Sequence, residues 1–187
     1  MDLVIRRVEA YEIDSVATFL VEQFQKSFEL LHIENEKLAK IFSQAMRYEQ
    51  CFIAIYQEKI VGMITYSTYT RASFEISLKE VKSEVGLLKT LRFYWDIMRE
   101  ESTLKSNQIC LNTLAVHSMF RHRGIATQLI QFVIHETKAQ EYVLEVLKIN
   151  QEALKLYEKL GFKMIENQRQ YRIYKRGKNR KIMMKLS

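Results

Sequence analysis

Seven consecutive residues carry the clearest chemical signal in this 187-residue chain: Arg121, His122, Arg123, Gly124, Ile125, Ala126 and Thr127. They follow an apolar run ending at Val116 and lead into a stretch with helical spacing, so they form a cationic turn feeding a helix N-terminus. Such a terminus presents unpaired backbone N–H groups and the positive end of the helix dipole. Gly124 and Ala126 keep side-chain bulk away, the two arginines add charge and Thr127 adds a hydroxyl donor, a combination suited to phosphate oxygens. Taken alone, R-x-x-G-x-A reads equally as an ordinary solvated turn.

A second constellation lies downstream. Leu144-Glu-Val146 is strand-like, Asn150 stands at its exit, and Ala153, Leu156 and Tyr157 follow at helical spacing before Gly161-Phe162. Asn150 reads as a helix N-cap, and Tyr157 as either a core aromatic or a phenolic proton donor. His117 and His122 read as loop residues beside the anion rather than bases, while His32 and His135 have no partner pattern. Cys51 and Cys110 sit in apolar stretches without ligand spacing, so they read as buried thiols and no metal site is expected.

The elements that must position these groups follow from period and punctuation. Leu3–Val8 is a strand, followed by a helix capped at Asp14 with Val16, Phe19, Leu20 and Phe24 on one face, then a second helix over 35–47. Cys51–Tyr56 and Lys59–Tyr66 form a hairpin across Gln57-Glu58, and Gly62 inside the second strand marks a bulge or a close backbone approach. Residues 70–106 are charged and helical, with Leu87, Leu88, Leu91, Trp95 and Met98 spaced for one face. Ile109–Val116, a helix from Gly124, the strand Tyr142–Val146, a helix ending at Gly161 and one or two closing strands complete the chain. The order predicts an α/β (α+β) fold: one mixed, mostly antiparallel sheet flanked by helices, with a helical insertion before the fourth strand, as a single domain over 1–187.

The combination of L-A-V (Leu114, Ala115, Val116), R-x-x-G-I-A (Arg121–Ala126) and N-x-x-A-x-x-L-Y-x-x-x-G-F (Asn150–Phe162) resembles the GNAT superfamily of acyl-CoA-dependent N-acyltransferases. The likeness is close over about 55 residues, 111–164, and element order agrees outside them. It implies that the Arg121–Ala126 loop, with Thr127, binds the CoA pyrophosphate, and that Leu114, Ala115 and Val116 pair with the pantetheine arm. It further implies that the Val116 amide polarises the thioester, that Asn150 and Ala153 lie on the cofactor's other side and that Tyr157 protonates the leaving thiolate. Two departures stand out. Ser118 replaces a common proline, and Asn112 stands at or near a position where many members place a glutamate base. An amide cannot take a proton, so Glu75, Glu80, Glu145 or a water chain must do so.

Charge and composition bound the rest. The formal charge of +7 is uneven: nine cations against Glu166 give residues 163–187 a net +8, leaving −1 for the remainder. A nucleic-acid partner would rest on that segment and its Tyr171 and Tyr174, but no nucleic-acid motif accompanies it. Forty-eight percent apolar residues indicate a globular core, no run is long enough to span a bilayer, and the N-terminus lacks a signal h-region, so a cytoplasmic location is expected. The leading expectation is an N-acetyltransferase using acetyl-CoA and an amine-bearing small molecule or peptide. A CoA-binding sensor without turnover is the alternative; a monomer and a homodimer both stay open. The 70–106 segment, with Phe74, Phe93, Tyr94 and Trp95 and flanked by Tyr66 and Tyr69, either lids the acceptor site or covers the sheet.

Overall fold

A computed structural model describes residues 2–93, 104–165 and 181–187, with the side chains of 91–93 left aside. Seven strands form one sheet: β1 (Val4–Arg7), β2 (Cys51–Tyr56), β3 (Lys59–Thr68), β4 (Gln108–Val116), β5 (Glu141–Leu147), β6 (Lys163–Met164) and β7 (Lys181–Leu186), in the spatial order β1-β2-β3-β4-β5-β7-β6. The helices are α1 (Ile13–Gln23), α2 (Gln25–Phe28), α3 (Asn35–Ala45), α4 (Leu78–Val85), α5 (Leu87–Phe93), α6 (Ile125–Thr137) and α7 (Gln151–Lys159). The expected mixed, mostly antiparallel sheet with a helical insertion before β4 is what forms.

All neighbouring pairs are antiparallel except β4 and β5, which the α6 crossover makes parallel. That pair is short: Gln108↔Glu141, Ile109↔Tyr142, Cys110↔Val143 and Leu111↔Leu144. At its foot, the Glu141 carboxylate accepts hydrogen bonds from Gln108, Lys185 (3.1 Å) and Ser187 (3.3 Å), tying β4, β5 and the end of β7 together. Beyond Leu111 and Leu144 the ladder stops, although both strands continue.

Alternation within the strands sends apolar side chains to two faces. Val16, Phe19 and Leu20 of α1 and Leu38, Ile41 and Phe42 of α3 pack with Cys51, Ile53, Met63 and Ala115 on one face. Leu129, Ile130 and Val133 of α6 and Leu154 of α7 pack with Phe52, Ile64, Leu111, Leu144 and Val146 on the other. Gly62 is needed for that second layer, because a Cβ there would meet Ile125 Cγ2 and Leu129 Cδ1 at 3.1 Å. Opposite it, Ala54 pairs with Gly62 and Ile55 with Ile60, so Val61 is the extra residue of a bulge. Both sequence readings of Gly62 therefore hold. The hairpin turn at Gln57-Glu58 is a two-residue loop with φ of +47° and +62°, the twist that suits right-handed strands even without glycine.

Three details differ from expectation. Glu12, not Asp14, occupies the N-cap of α1, and Asp14 lies in the first turn. Leu87 and Leu88 are exposed, at 57% and 84%, so they do not cover the sheet, while Tyr94, Trp95 and Met98 lie outside the described residues. Phe74, half-buried, packs edge-on against Phe42 (5.8 Å) at the margin of the core, and the buried Tyr66 is stacked on Phe52 (5.8 Å), so both are held by packing.

Arg6 grips Glu12 through two 2.7 Å hydrogen bonds, and Glu12 also accepts from the Glu9 amide at 3.0 Å. Arg6 chiefly holds the Glu12 carboxyl below its ordinary range. Glu12→Gln is expected to cost about 1 kcal/mol at neutral pH, read as a lower midpoint in urea. Because the folded-state pKa is depressed, that stabilisation is present above the unfolded carboxyl value near 4.5 and fades as pH falls through the folded one. The two proteins should therefore converge in acid.

Candidate active site

The turn from β4 to α6 brings the cationic residues to the top of the sheet. His117 Nδ1 accepts from the Met119 amide (3.3 Å), capping a short 3-10 turn over 118–120, and its ring meets Phe120 edge-on. Phe120 in turn packs against Tyr56 at the hairpin end and beneath the Arg123 guanidinium at 5.3 Å. His117 is thus occupied in building the loop. His122 and Gly124 both adopt left-handed φ, +61° and +79°, which folds the chain tightly into α6.

Gly124 is the N-cap of α6, and no side chain caps it. The first helix bond runs from Gln128 N–H to Gly124 O, which leaves the amides of Ile125, Ala126 and Thr127 without an intrahelical acceptor. A Cβ at Gly124 would meet only Gln128 Nε2 at 3.9 Å, so the space in front of these amides is open and the positive φ is what calls for glycine. Arg121, His122 and Arg123 are exposed around it. An anion placed here meets donors and positive charge from every component.

On β4 the backbone shows which groups face the gap. His117 N–H donates to Val61 O (2.9 Å) and Thr113 N–H to Thr65 Oγ1 (3.2 Å), both toward β3. Successive N–H groups of a strand point to opposite edges, so those of Leu114 and Val116 point away from β3, to the side where β5 no longer pairs. The Val116 carbonyl shares that edge and accepts from Arg121 Nε at 3.2 Å, which holds the guanidinium at the mouth of the gap. The buried Thr65 hydroxyl stands in for a ladder acceptor where the register shifts between Ile64 and Tyr66. Ala115 faces the α1–α3 core, and Gly62, paired with Val116, seats the first turn of α6 close to these donors.

Across the gap, Asn150 caps α7 by accepting from Ala153 N–H (3.1 Å), which leaves its Nδ2 hydrogens to donate elsewhere. Tyr157 lies one helical face along, edge-on to Phe162 at 5.9 Å. Burial pushes its phenol up to about 12, so it remains protonated throughout the physiological range.

The acidic candidates separate clearly. Glu75 is ion-paired with Arg47, which holds its carboxyl low. Glu80 is exposed in the first turn of α4. Glu145 is the first residue of β5 past the last registered pair, on the face that carries Cys110, Val143 and Met183. It is paired with Lys181 of β7 at 2.8 Å. Burial pushes the Glu145 carboxyl up and brings Lys181 down to about 8, while their mutual contact opposes both changes. Cys110, below Glu145, has its thiol pushed up to about 12, mainly by burial.

Asn112 donates from Nδ2 to Ser67 Oγ (2.5 Å) and Ser73 Oγ (2.7 Å). Neither serine, nor Lys181, nor Thr65 was legible as part of a site, because each acts through a partner remote in the chain. The only usable hint was a threonine inside an apolar strand. Of the basic C-terminal segment, residues 166–180 lie outside the described residues, and Lys181 and Lys185 serve as ion-pair partners of Glu145 and Glu141. Among the described residues, no cluster of three or more His, Cys, Asp or Glu is placed to hold a metal, and no helix is long and apolar enough to cross a membrane.

Solved structures share this architecture. An N-acetyltransferase from Staphylococcus aureus Mu50 superposes with a TM-score of 0.67 at 19% identity, covering 98% of this chain and 100% of that one. PaiA N-acetyltransferase from Thermoplasma acidophilum, in complex with coenzyme A, gives 0.57 at 13% identity over 99% and 98%. The NatC complex bound to Gag peptide and CoA gives 0.55 at 18% over 100% and 98%. In sequence, the chain is 43% identical over 67 residues to N-alpha-acetyltransferase 30 of Xenopus laevis and of Homo sapiens, 34% of this chain but only 24% and 18% of theirs. The model of the acetyltransferase (GNAT) family matches residues 13–162, most of the chain and the whole of the gap, loop and α7 described above. On that match and that architecture, the chain belongs to the GNAT family of acetyltransferases.

Proposed function

We propose that this chain transfers an acetyl group from acetyl-CoA to a primary amine by direct attack within a ternary complex. The observation that carries the reading is the meeting of two donor sets: the uncapped terminus of α6 and the N–H groups of Leu114 and Val116, which have no ladder partner among the described residues, on one edge of the same gap. The residues fit CoA in kind. The α6 amides with Arg121, His122 and Arg123 suit its pyrophosphate, and the β4 edge suits the amide groups of its extended arm.

Two amide units separate the pyrophosphate from the sulfur. Val116, which the resemblance implied as the thioester donor, lies next to the helix terminus and therefore meets the arm in this reading, and Leu114, one strand repeat deeper, donates to the thioester oxygen where negative charge develops. Asn150 Nδ2 and the Ala153 turn face the arm from α7. As the amine nitrogen bonds to the carbonyl carbon, the carbon–sulfur bond breaks, the amine gives up one proton and the thiolate leaves with the electron pair. Glu145 takes the proton, and Tyr157 donates to the sulfur. A phenol near 12 is a weaker acid than an ordinary thiol near 8.5, so the Tyr157 contribution is a hydrogen bond that completes only as the sulfur leaves water behind.

The acceptor is an amine-bearing small molecule or peptide. The names of the N-alpha-acetyltransferase relatives bring peptide α-amines forward within that class. The experiment measures CoA-thiol release with a panel of amines and acetyl-CoA affinity by calorimetry. Gly124→Asp is the matched variant: aspartate tolerates left-handed backbone better than most residues, so the fold is retained at some cost in stability, and its carboxylate stands beside the amides meant for phosphate. Acetyl-CoA affinity is expected to fall at least tenfold in a protein that still unfolds cooperatively, with its melting temperature lowered by a few degrees. Unchanged affinity would remove the phosphate assignment, whereas tight binding without thiol release from any amine would favour a CoA sensor.

A further inference from the structure

We propose that Asn112 positions the acceptor amine: its side-chain carbonyl Oδ1 accepts an N–H of the attacking nitrogen, in an orientation set by Ser67 and Ser73. The proposal rests on the acetyl-transfer reading and gives it an acceptor site. Asn112 is the first residue of β4 past the Leu111↔Leu144 pair, where the strands part, and the corresponding first residue of β5 is Glu145. It lies two residues from Leu114, about 7 Å along a strand, which is within reach of a side chain and one hydrogen bond. A nitrogen held there lies between the thioester donor and the carboxylate.

The hydrogen bonds fix which end of the amide is presented. Ser67 Oγ accepts from Ser73 N–H (2.9 Å), and its own hydrogen is directed to Ser73 Oγ (3.4 Å). A serine so engaged has only lone-pair capacity left, so the atom of Asn112 that faces it is the NH2 group, as found at 2.5 Å. Both amide hydrogens are thereby used, on Ser67 and Ser73. Oδ1 is left as an acceptor on an exposed residue, with no protein donor among the described residues.

A neutral acceptor has a consequence that a carboxylate would not have. Oδ1 can hold one N–H while the nitrogen lone pair stays free, and it adds no charge that would favour the ammonium form. It therefore suits amines that are substantially neutral at working pH. An α-amine of pKa near 7.8 has a neutral fraction at pH 7.5 roughly 260-fold above that of a lysine side chain near 10.4.

The test uses a tripeptide with a free α-amine and an N-blocked tripeptide carrying one lysine, with the full chain and acetyl-CoA. Asn112→Ala is expected to lower acceptor kcat/KM about tenfold while the KM for acetyl-CoA holds. Ser73→Ala, which frees the amide to rotate, is expected to give an intermediate loss. Asn112→Asp, which favours the ammonium form of the bound amine, is expected to move the acidic limb of kcat at saturating acceptor to higher pH while keeping acetyl-CoA binding. If acceptor kcat/KM stays within twofold of wild type in Asn112→Ala, or if acetyl-CoA KM rises in step with the loss, the positioning role is overturned and acetyl transfer stands. A wild-type protein that binds acetyl-CoA but releases no thiol with either peptide or a simple amine panel overturns both. A wild type that prefers the lysine peptide overturns the neutral-amine selection.

Discussion

Glu145→Gln is expected to lower kcat by two to three orders of magnitude while leaving acetyl-CoA affinity within threefold. A positioned general base contributes a factor of this size, and the amide is nearly isosteric with the carboxylate it replaces. The wild-type profile should show an acidic limb, because Glu145 works only when ionised, and the rate falls as pH drops through its pKa. Burial raises that pKa, and the 2.8 Å contact with Lys181 of β7 favours the charged form; among the described residues the Cys110 thiol of β4 also faces it, neutral well beyond the range concerned. Lys181→Met removes the opposing contribution, so the limb should move to higher pH at an unchanged plateau. The Gln variant should be slow and flat across the same range. A full-speed Glu145→Gln enzyme would return the proton to a water chain.

Tyr157→Phe is expected to reduce kcat about a hundredfold with a different signature. Phenylalanine keeps the edge contact with Phe162, so the fold and the acetyl-CoA KM should be held. Because the phenol stays protonated up to about 12, its removal lowers the height of the pH profile between 5 and 9 without moving either limb. Varying the leaving group separates this from a packing defect: a thioester whose thiol is more acidic needs less help on departure, and should lose less when the hydroxyl is gone. Equal losses for both thioesters would make Tyr157 a core aromatic after all.

The fold was legible because its period changes are sharp. Strand and helix alternate cleanly from Ile109 to Phe162, and two of the glycines at helix ends, Gly161 at φ +90° and Gly124 at φ +79°, stand where positive φ is needed. Gly62 announced a close approach, though not that α6 makes it. The caps were less readable. Asp14 has the better capping chemistry in isolation, yet a 3-10 turn over 10–12 runs straight into α1, so Glu12 holds the N-cap position without a side-chain cap bond and its carboxylate serves the Glu9 amide and Arg6 instead.

The candidate site divides along the same line. Its local parts, the Arg121–Thr127 turn and the Asn150 cap, are each built from a few consecutive residues and can be read from spacing. Its long-range parts cannot. Asn112 was read only as the absence of a base, since nothing local to it says that Ser67 and Ser73, some forty residues away, hold its amide. Glu145 is a strand residue that does face a cation, Lys181 of β7 at 2.8 Å; what only the register of β4 and β5 adds is that it also stands where their pairing ends.

The parting of β4 and β5 has a further consequence for the sheet's outer behaviour. An ordinary open sheet has two edges, and proteins blunt them because an unpaired strand invites another chain. Past Leu111 and Leu144 this sheet has two more, turned inward and facing one another. They differ from outer edges in admitting one extended molecule from the top and excluding a second sheet, since the strands are joined below by the Glu141 cluster and seated against α6. Proline, a common device at outer edges, is absent from the chain, and the inner edges have instead a joined base and the Arg121 guanidinium at the mouth. A ligand that lies along them completes a ladder the protein leaves unfinished, so saturating acetyl-CoA should slow amide hydrogen exchange at Leu114 and Val116 more than at the already paired Ile109.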